Sequence, residues 1–198
     1  MPKPKVDLQS LHSEVQVGVS ITAFMTGVTI FFAGLLITNF ENPTIAIEIP
    51  ILFLIISTFG FLYSTLVYAN ASGELNHFNS NRFNKYMMIG NTVSEYIGVY
   101  FLVLCIPLVI NVVTQSLFIK IATLTIALVG LIIYHSSGCS IMGRDYKKLH
   151  YLFLLLIILL ELILFLTQTM YQSYFVYFAS IMILFLITIS FLSKKIKN

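Results

Sequence analysis

Six long apolar runs, separated by short polar segments, constrain this chain more than any other feature. They cover residues 15–38, 45–69, 86–113, 117–135, 150–167 and 174–193. A helix of about 20 residues crosses the bilayer core, so each run can span it with some tilt. Lipid offers the backbone no hydrogen-bond partner, which leaves helices and closed barrels as the only spanning structures. The runs lack the alternation of barrel strands, and we predict an all-α polytopic membrane protein, a six-transmembrane-helix bundle.

Composition supports a chain that is embedded in the lipid bilayer. Of its 198 residues, 58% are hydrophobic and only 10% are charged, whereas about a quarter of a soluble domain is charged. Six spans of about 20 residues use most of the chain. We therefore expect one transmembrane domain over residues 1–198 and only short loops.

Turn-forming residues occur between several of the runs. Pro43 and its neighbours in 39–43 separate the first two, and Asn, Ser and Gly cluster in 70–73 and in 136–138. Such clusters are typical of loops, so we expect helices to end at all three places.

The basic residues predict the orientation of the chain. With the N-terminus in the cytoplasm, Lys120 is the one cation of eleven on the outer side. The ten on the inner side are Lys3, Lys5, Arg82, Lys85, Arg144, Lys147, Lys148, Lys194, Lys195 and Lys197. Cytoplasmic loops are rich in Lys and Arg. We therefore predict three hairpins in the cell membrane, with both termini cytoplasmic.

Glu161 is the sharpest single feature of the sequence. It lies eleven residues after His150 and among Leu, Ile and Phe, which places it near the centre of the bilayer at 1.5 Å per residue. A charge at this depth costs about 2.5–3.5 kcal/mol on insertion scales. No Lys or Arg lies at that depth, so we expect a protonated or hydrogen-bonded carboxyl facing the bundle interior. Gln168, seven residues on, shares its face. Two interpretations are open. Glu161 binds a proton or a cation as part of the protein's function, or it is a neutral carboxylic acid that holds a neighbouring helix by a hydrogen bond.

A second acidic candidate lies near the inner end of the third run. Asn91, Ser94, Glu95 and Gly98 are spaced i, i+3, i+4 and i+7, so they share one helix face. If the helix begins at Tyr86, Glu95 is about 13 Å deep; if it begins near 93, Glu95 is at the headgroups. Glu14, at the start of the first run, has the same two interpretations: a charge stabilised by the helix N-terminus, or a transport station.

Small and hydroxylated residues recur at helical spacing in the first two runs. They are Gly18, Thr22, Thr26, Thr29 and Ala33, followed by Ser57, Gly60, Ser64 and Tyr68. These stripes either line a pore or allow close helix packing, and packing is the commoner use.

The four histidines lie on the predicted inner side, at positions 12, 77, 135 and 150. Their spacing does not match a metal or haem site, and we expect side chains solvated at the interface. No nucleotide-binding or metal-binding motif occurs. We therefore expect no cofactor and no nucleic-acid partner.

Three functions are compatible with these features. The favoured hypothesis is a channel or transporter for an ion, a proton or a small solute, using Glu161 and Glu95. The second is an accessory subunit of a membrane complex, either a homo-oligomer or bound to another membrane protein. The third is an enzyme acting on lipid at the inner interface, using His12, Glu14, Glu95 and His135.

Overall fold

The computed structural model describes residues 8–40, 42–76, 80–141 and 148–192, all of them in helices or short connections. Six long helices follow one another along the chain. They are α1 (Leu8–Asn39), α2 (Ile45–Asn76), α3, α4 (Leu117–Ile141), α5 (Lys148–Met170) and α6 (Gln172–Leu192). Helix α3 has three consecutive parts, Ser80–Val93, the π-helical Ser94–Val99, and Tyr100–Val113. All six are long and apolar enough to cross a membrane, so the predicted all-α bundle of six spans is confirmed.

Helices α2 and α3 form the centre of the bundle. Helix α2 packs between α1 and α3, and α3 also contacts α4, α5 and α6. In their most apolar windows α2 is 56% and α3 50% buried, against 17% for α1 and 11% for α4. The outer helices α1 and α4 therefore expose large apolar side chains, such as Phe24 and Ile126, to lipid.

The main core lies where α2, α3, α5 and α6 meet. Phe53 of α2 packs edge-on against Phe101 of α3, with ring centroids 5.1 Å apart. Leu104 of α3, Leu164 of α5 and Met182 of α6 belong to the same fully buried cluster. This core fixes the positions of α3 and α5, the two helices that carry the buried acids.

Two of the predicted helix ends were wrong, because α2 and α4 continue beyond the apolar runs. Helix α2 passes through 70–73 to Asn76, and α4 passes through 136–138 to Ile141. Ala71 of α2 packs with Phe83 and Met87 of α3, so burial sustains that helix outside the apolar run. Isolated Gly and Ser weaken a helix without ending it. The break at Pro43 is real, since α1 ends at Asn39.

The small-residue stripe of α1 serves helix packing. The hydroxyl oxygens of Thr22 and Thr65 are 2.7 Å apart, and those of Thr29 and Thr58 are 2.9 Å apart. Each pair joins α1 to α2, and both α1 threonines are buried, as is Ala33. The stripe therefore lies in an interface between two helices.

The stripe of α2 packs against the π-helical part of α3. A Cβ added to Gly60 would lie 2.6 Å from the Gly98 nitrogen, so the two backbones are in direct contact. The Ser57 hydroxyl donates a hydrogen bond of 2.7 Å to the Gly98 carbonyl oxygen. Small residues thus allow the close approach that favours helix association in lipid.

The orientation of the chain stays a prediction. Most of the cations on which it depends, including Lys3, Lys5 and the C-terminal lysines, lie outside the described residues.

Candidate functional site

Glu161 lies entirely inside the bundle. Its side chain is 0% exposed, and neither carboxyl oxygen has a hydrogen-bond partner among the described residues. It is nine residues from Met170, the end of α5, which corresponds to about 14 Å along the helix. A hydrogen bond from the Glu161 carboxyl to a neighbouring helix, one of the two sequence interpretations, is therefore not observed among the described residues.

Two apolar residues of α5 and one thiol of α3 lie close to Glu161. Ile157 and Leu164, one turn away on either side, are buried with it. Cys105 of α3 lies near enough to interact electrostatically with the carboxyl. The thiol, however, donates its hydrogen to the Pro50 carbonyl oxygen of α2, 3.3 Å away. The buried carboxyl thus receives no hydrogen bond from any residue that the structure describes.

Gln168, on the same face of α5, is in the opposite situation. Its Nε2 donates hydrogen bonds of 2.8 Å to the carbonyl oxygens of Ala46 and Leu108. Its Oε1 accepts one of 2.9 Å from Asn111 Nδ2. The Ala46 carbonyl is available because Pro50, four residues on, has no N–H to donate to it. Gln168 therefore ties α2, α3 and α5 together and has a structural role.

A second buried polar cluster joins α3 to α4. Glu95 Oε1 lies 3.4 Å from His135 Nδ1, and the Tyr100 hydroxyl lies 2.5 Å from the same nitrogen. The exposed fractions are 6% for Glu95, 2% for His135 and 0% for Tyr100. Three groups able to hold a proton thus share one apolar pocket. We call these three residues the inner cluster.

The backbone geometry around Glu95 is unusual. Ser94–Val99 forms a π-helix, a wider turn that occurs often at functional sites. It changes the α-helical spacing after Glu95, on which the predicted place of Gly98 in the stripe depended, although Ser94, Glu95 and Gly98 are all buried. Helix α3 begins at Ser80, so Glu95 does not cap the start of this helix.

Tyr68 of α2 links the remaining candidates. Its ring lies between Gly18 and Gly90, where a Cβ would be 3.3 Å and 2.6 Å from ring atoms. Its hydroxyl donates a 2.5 Å hydrogen bond to Asn91 Oδ1. Glu14 is exposed and close enough to interact electrostatically with Tyr68. Because α1 begins at Leu8, Glu14 lies beyond the first turn and does not act as a helix cap.

The structure brings the predicted candidates into separate groups rather than one site. Glu95 belongs to the inner cluster, Asn91 pairs with Tyr68, and Glu161 and Gln168 lie on α5. Sequence reasoning missed Tyr100 and wrongly placed His135 in solvent.

One signal in the sequence could have paired Glu95 with His135. Glu95 lies 18 residues before Val113, where α3 ends, and His135 lies 18 residues after Leu117, where α4 begins. Two helices joined by a short turn bring residues at equal distances from that turn to the same depth. At 1.5 Å per residue that depth is about 27 Å from the turn.

No protein-family profile, curated protein or solved structure matches this chain. The fold and the buried acids define a class: a multi-pass membrane protein with six candidate spans and, among the residues that the structure describes, one buried carboxyl without a hydrogen-bond partner.

Proposed function

We propose that this protein carries protons or small cations across the membrane and that the Glu161 carboxyl is the central binding group. One observation carries the proposal: a fully buried carboxyl whose two oxygens have no hydrogen-bond partner in the described part of the chain. Ionisable side chains inside membrane spans are costly and mark ion and proton pathways. Burying a carboxyl without partners lowers the stability of the fold. A residue with a purely structural role would not be expected at such a place.

Gln168 shows how a polar residue is held when its role is structural. Its amide groups make three hydrogen bonds to α2 and α3. Glu161, two turns away, makes none with any residue in the described segments. A proton or cation that binds to Glu161 would therefore not have to displace a hydrogen bond to another described residue.

The inner cluster supplies a second proton-binding group. The His135 ring contacts both the Glu95 carboxyl and the Tyr100 hydroxyl, and each of the three side chains can bind a proton. In the proposed orientation, with both termini cytoplasmic, this cluster lies on the cytoplasmic side of Glu161. Protons would pass between the cytoplasm and Glu161 through it.

The test measures the flux of protons or cations through the purified protein in liposomes that contain a pH-sensitive dye. A cation gradient is applied with and without a proton ionophore. Wild type is expected to change the internal pH, and Glu161→Gln is expected to abolish the change while eluting as the same folded species. Glu48→Gln is the matched control, because it removes an exposed carboxylate and should retain flux.

Two outcomes would contradict the proposal. Flux that persists in Glu161→Gln would remove the carboxyl from the pathway. Absence of flux in wild type, together with altered assembly of the variant, would favour an accessory subunit instead.

A further inference from the structure

A cleft of about 310 Å³ lies between α1, α2 and α3. It is lined by Phe32 and Leu36 of α1, Leu54 of α2, and a stretch of α3 from Leu102 to Ile110. Helix α2 packs between the other two helices, and the cleft occupies the gap that remains between α1 and α3 on one side of α2. Phe32 and Ile106, both in its lining, are 49% and 46% exposed. The cleft therefore opens to the outside of the bundle.

Distance along the helices places the cleft beside the acyl chains of one leaflet. The connections α1–α2 and α3–α4 are separated by two spans and so lie on the same side of the membrane. Leu36 and Ile110 each lie three residues from the end of their helix. Leu54 lies nine residues from the start of α2, and Leu102 eleven from the end of α3. These distances are about 4–17 Å at 1.5 Å per residue, and half of the hydrocarbon core is about 15 Å thick.

The lining of the cleft matches an uncharged, apolar occupant. Apart from Cys105, every side chain that lines it is Leu, Ile, Val or Phe. The Cys105 thiol donates its hydrogen to the Pro50 carbonyl oxygen. A charged or polar group in the cleft would lose its hydration and find no charged side chain in the lining, which costs free energy. A hydrocarbon chain has no such cost.

The width of the cleft distinguishes an acyl chain from a helix of a second copy. From Leu102 to Ile110 it extends about 12 Å along α3, so its volume corresponds to a mean cross-section of about 26 Å². An α-helix with its side chains is about 10–12 Å across, which is roughly 80–110 Å². A single hydrocarbon chain packs about 4.0–4.5 Å from its neighbours and takes up roughly 16–20 Å². The cleft therefore fits one chain and is too narrow for a helix.

We propose that this cleft binds one acyl chain of a membrane phospholipid. Hydrocarbon surrounds the protein at this depth, so the preference for the cleft comes from close van der Waals packing of the chain on three helices. The bound chain lies against Cys105, which is near enough to Glu161 to interact with it electrostatically. The lipid is thus one side chain away from the buried carboxyl. Its binding does not require that the protein carry protons or cations.

Native mass spectrometry of the purified protein tests the proposal. The protein is titrated with phosphatidylcholine and with phosphatidylglycerol of the same acyl chains. Wild type is expected to bind a first molecule of either lipid with a similar Kd, because the chain and not the headgroup is recognised. Val109→Trp places a larger side chain in the cleft and should raise both Kd values about fivefold. That factor corresponds to about 1 kcal/mol, or to the loss of about five to ten carbon–carbon contacts.

Val129→Trp is the matched control, because it makes the same substitution at an exposed position of α4 outside the cleft, and it should leave both Kd values unchanged. Leu36→Trp fills the cleft from α1, so it decides the matter if Val109→Trp disturbs α3. An equal rise in Val129→Trp, or a strong preference for one headgroup, would overturn the proposal. A wild-type dimer that binds no lipid and dissociates in Val109→Trp would also overturn it and indicate a second copy in the cleft.

Discussion

At the scale of single residues, Glu161 and Gln168 form a natural comparison. Both side chains are 0% exposed and lie on one face of α5. The Gln168 amide is bonded to α2 and α3, whereas the Glu161 oxygens are bonded to nothing in the described residues. A buried polar group costs free energy unless a partner compensates for its lost hydration.

Replacing the two residues by leucine should therefore change stability in opposite directions. Glu161→Leu is expected to raise the free energy of unfolding by about 1–3 kcal/mol, because it removes an unpartnered polar group of similar size. Gln168→Leu is expected to lower it by about 1–3 kcal/mol, because it leaves Asn111 and two carbonyl oxygens without this partner. Thermal unfolding followed by circular dichroism at 222 nm measures both. A lower free energy of unfolding in Glu161→Leu would indicate that the Glu161 carboxyl is hydrogen-bonded to a neighbouring helix.

The inner cluster allows a second prediction about one hydroxyl group. Tyr100→Phe removes the hydroxyl that contacts His135 Nδ1 and should lower the free energy of unfolding by about 1–2 kcal/mol. It should also slow proton flux, since His135 loses a partner. Tyr177→Phe is the control, because Tyr177 is 69% exposed and should change neither the melting temperature nor the flux.

At the scale of helices, the contact between α2 and α3 is the most sensitive point of the bundle. A Cβ at Gly60 would meet backbone atoms of Ile97 and Gly98 at 2.6 Å, and backbone cannot rotate away as a side chain can. Gly60→Ala is expected to cost about 1–3 kcal/mol by overpacking. Gly27→Ala in α1 is the control, because nothing lies within 4 Å of its Cβ.

Gly27→Ala should raise the free energy of unfolding by about 0.5–1 kcal/mol, because alanine is a better helix former than glycine. Thermal unfolding of the two alanine variants under identical conditions measures the difference. Equal effects at both positions would show that α2 and α3 are further apart than described here.

The helices themselves could be predicted because each depends on local composition. An apolar run of about 20 residues requires a spanning helix whatever its neighbours are. The extension of α2 to Asn76 could not be predicted, because it depends on burial of Ala71 against Phe83 and Met87 of another helix. The π-helix at Ser94–Val99 likewise lies where α3 meets Gly60 and Ser57 of α2.

The candidate groups were predictable only in part, for a related physical reason. The depth of Glu161 follows from its distance along one helix, and the sequence predicted its interior position. Its lack of a partner depends on what α3 places beside it, where the Cys105 thiol is already bonded to Pro50. The pairing of Glu95 with His135 joins residues 40 positions apart in the chain. It follows from their equal distances to the turn between α3 and α4, and the residues next to either one do not indicate it.

At the scale of the whole molecule, the proposed orientation can be tested with cysteine labelling. Asn42 and Ser116 lie in the connections α1–α2 and α3–α4, and Gly73 is an exposed position near the other end of α2. In a background with Cys139→Ser, a membrane-impermeant maleimide should label Asn42→Cys and Ser116→Cys in intact cells. Gly73→Cys should react only after permeabilisation. The reverse pattern would place both termini outside.

The apolar character of α5 also bears on how the protein is made. During synthesis each helix must leave the translocation channel for lipid, and an acidic residue at its centre opposes that step by about 2.5–3.5 kcal/mol. A central Leu, Ile or Phe favours it by about 0.3–0.6 kcal/mol, so roughly six of them offset one acid. The run of Leu, Ile and Phe around Glu161 exceeds that number. The apolar residues of α5 thus favour insertion of this helix, with its carboxyl, before a neighbouring helix has packed against it.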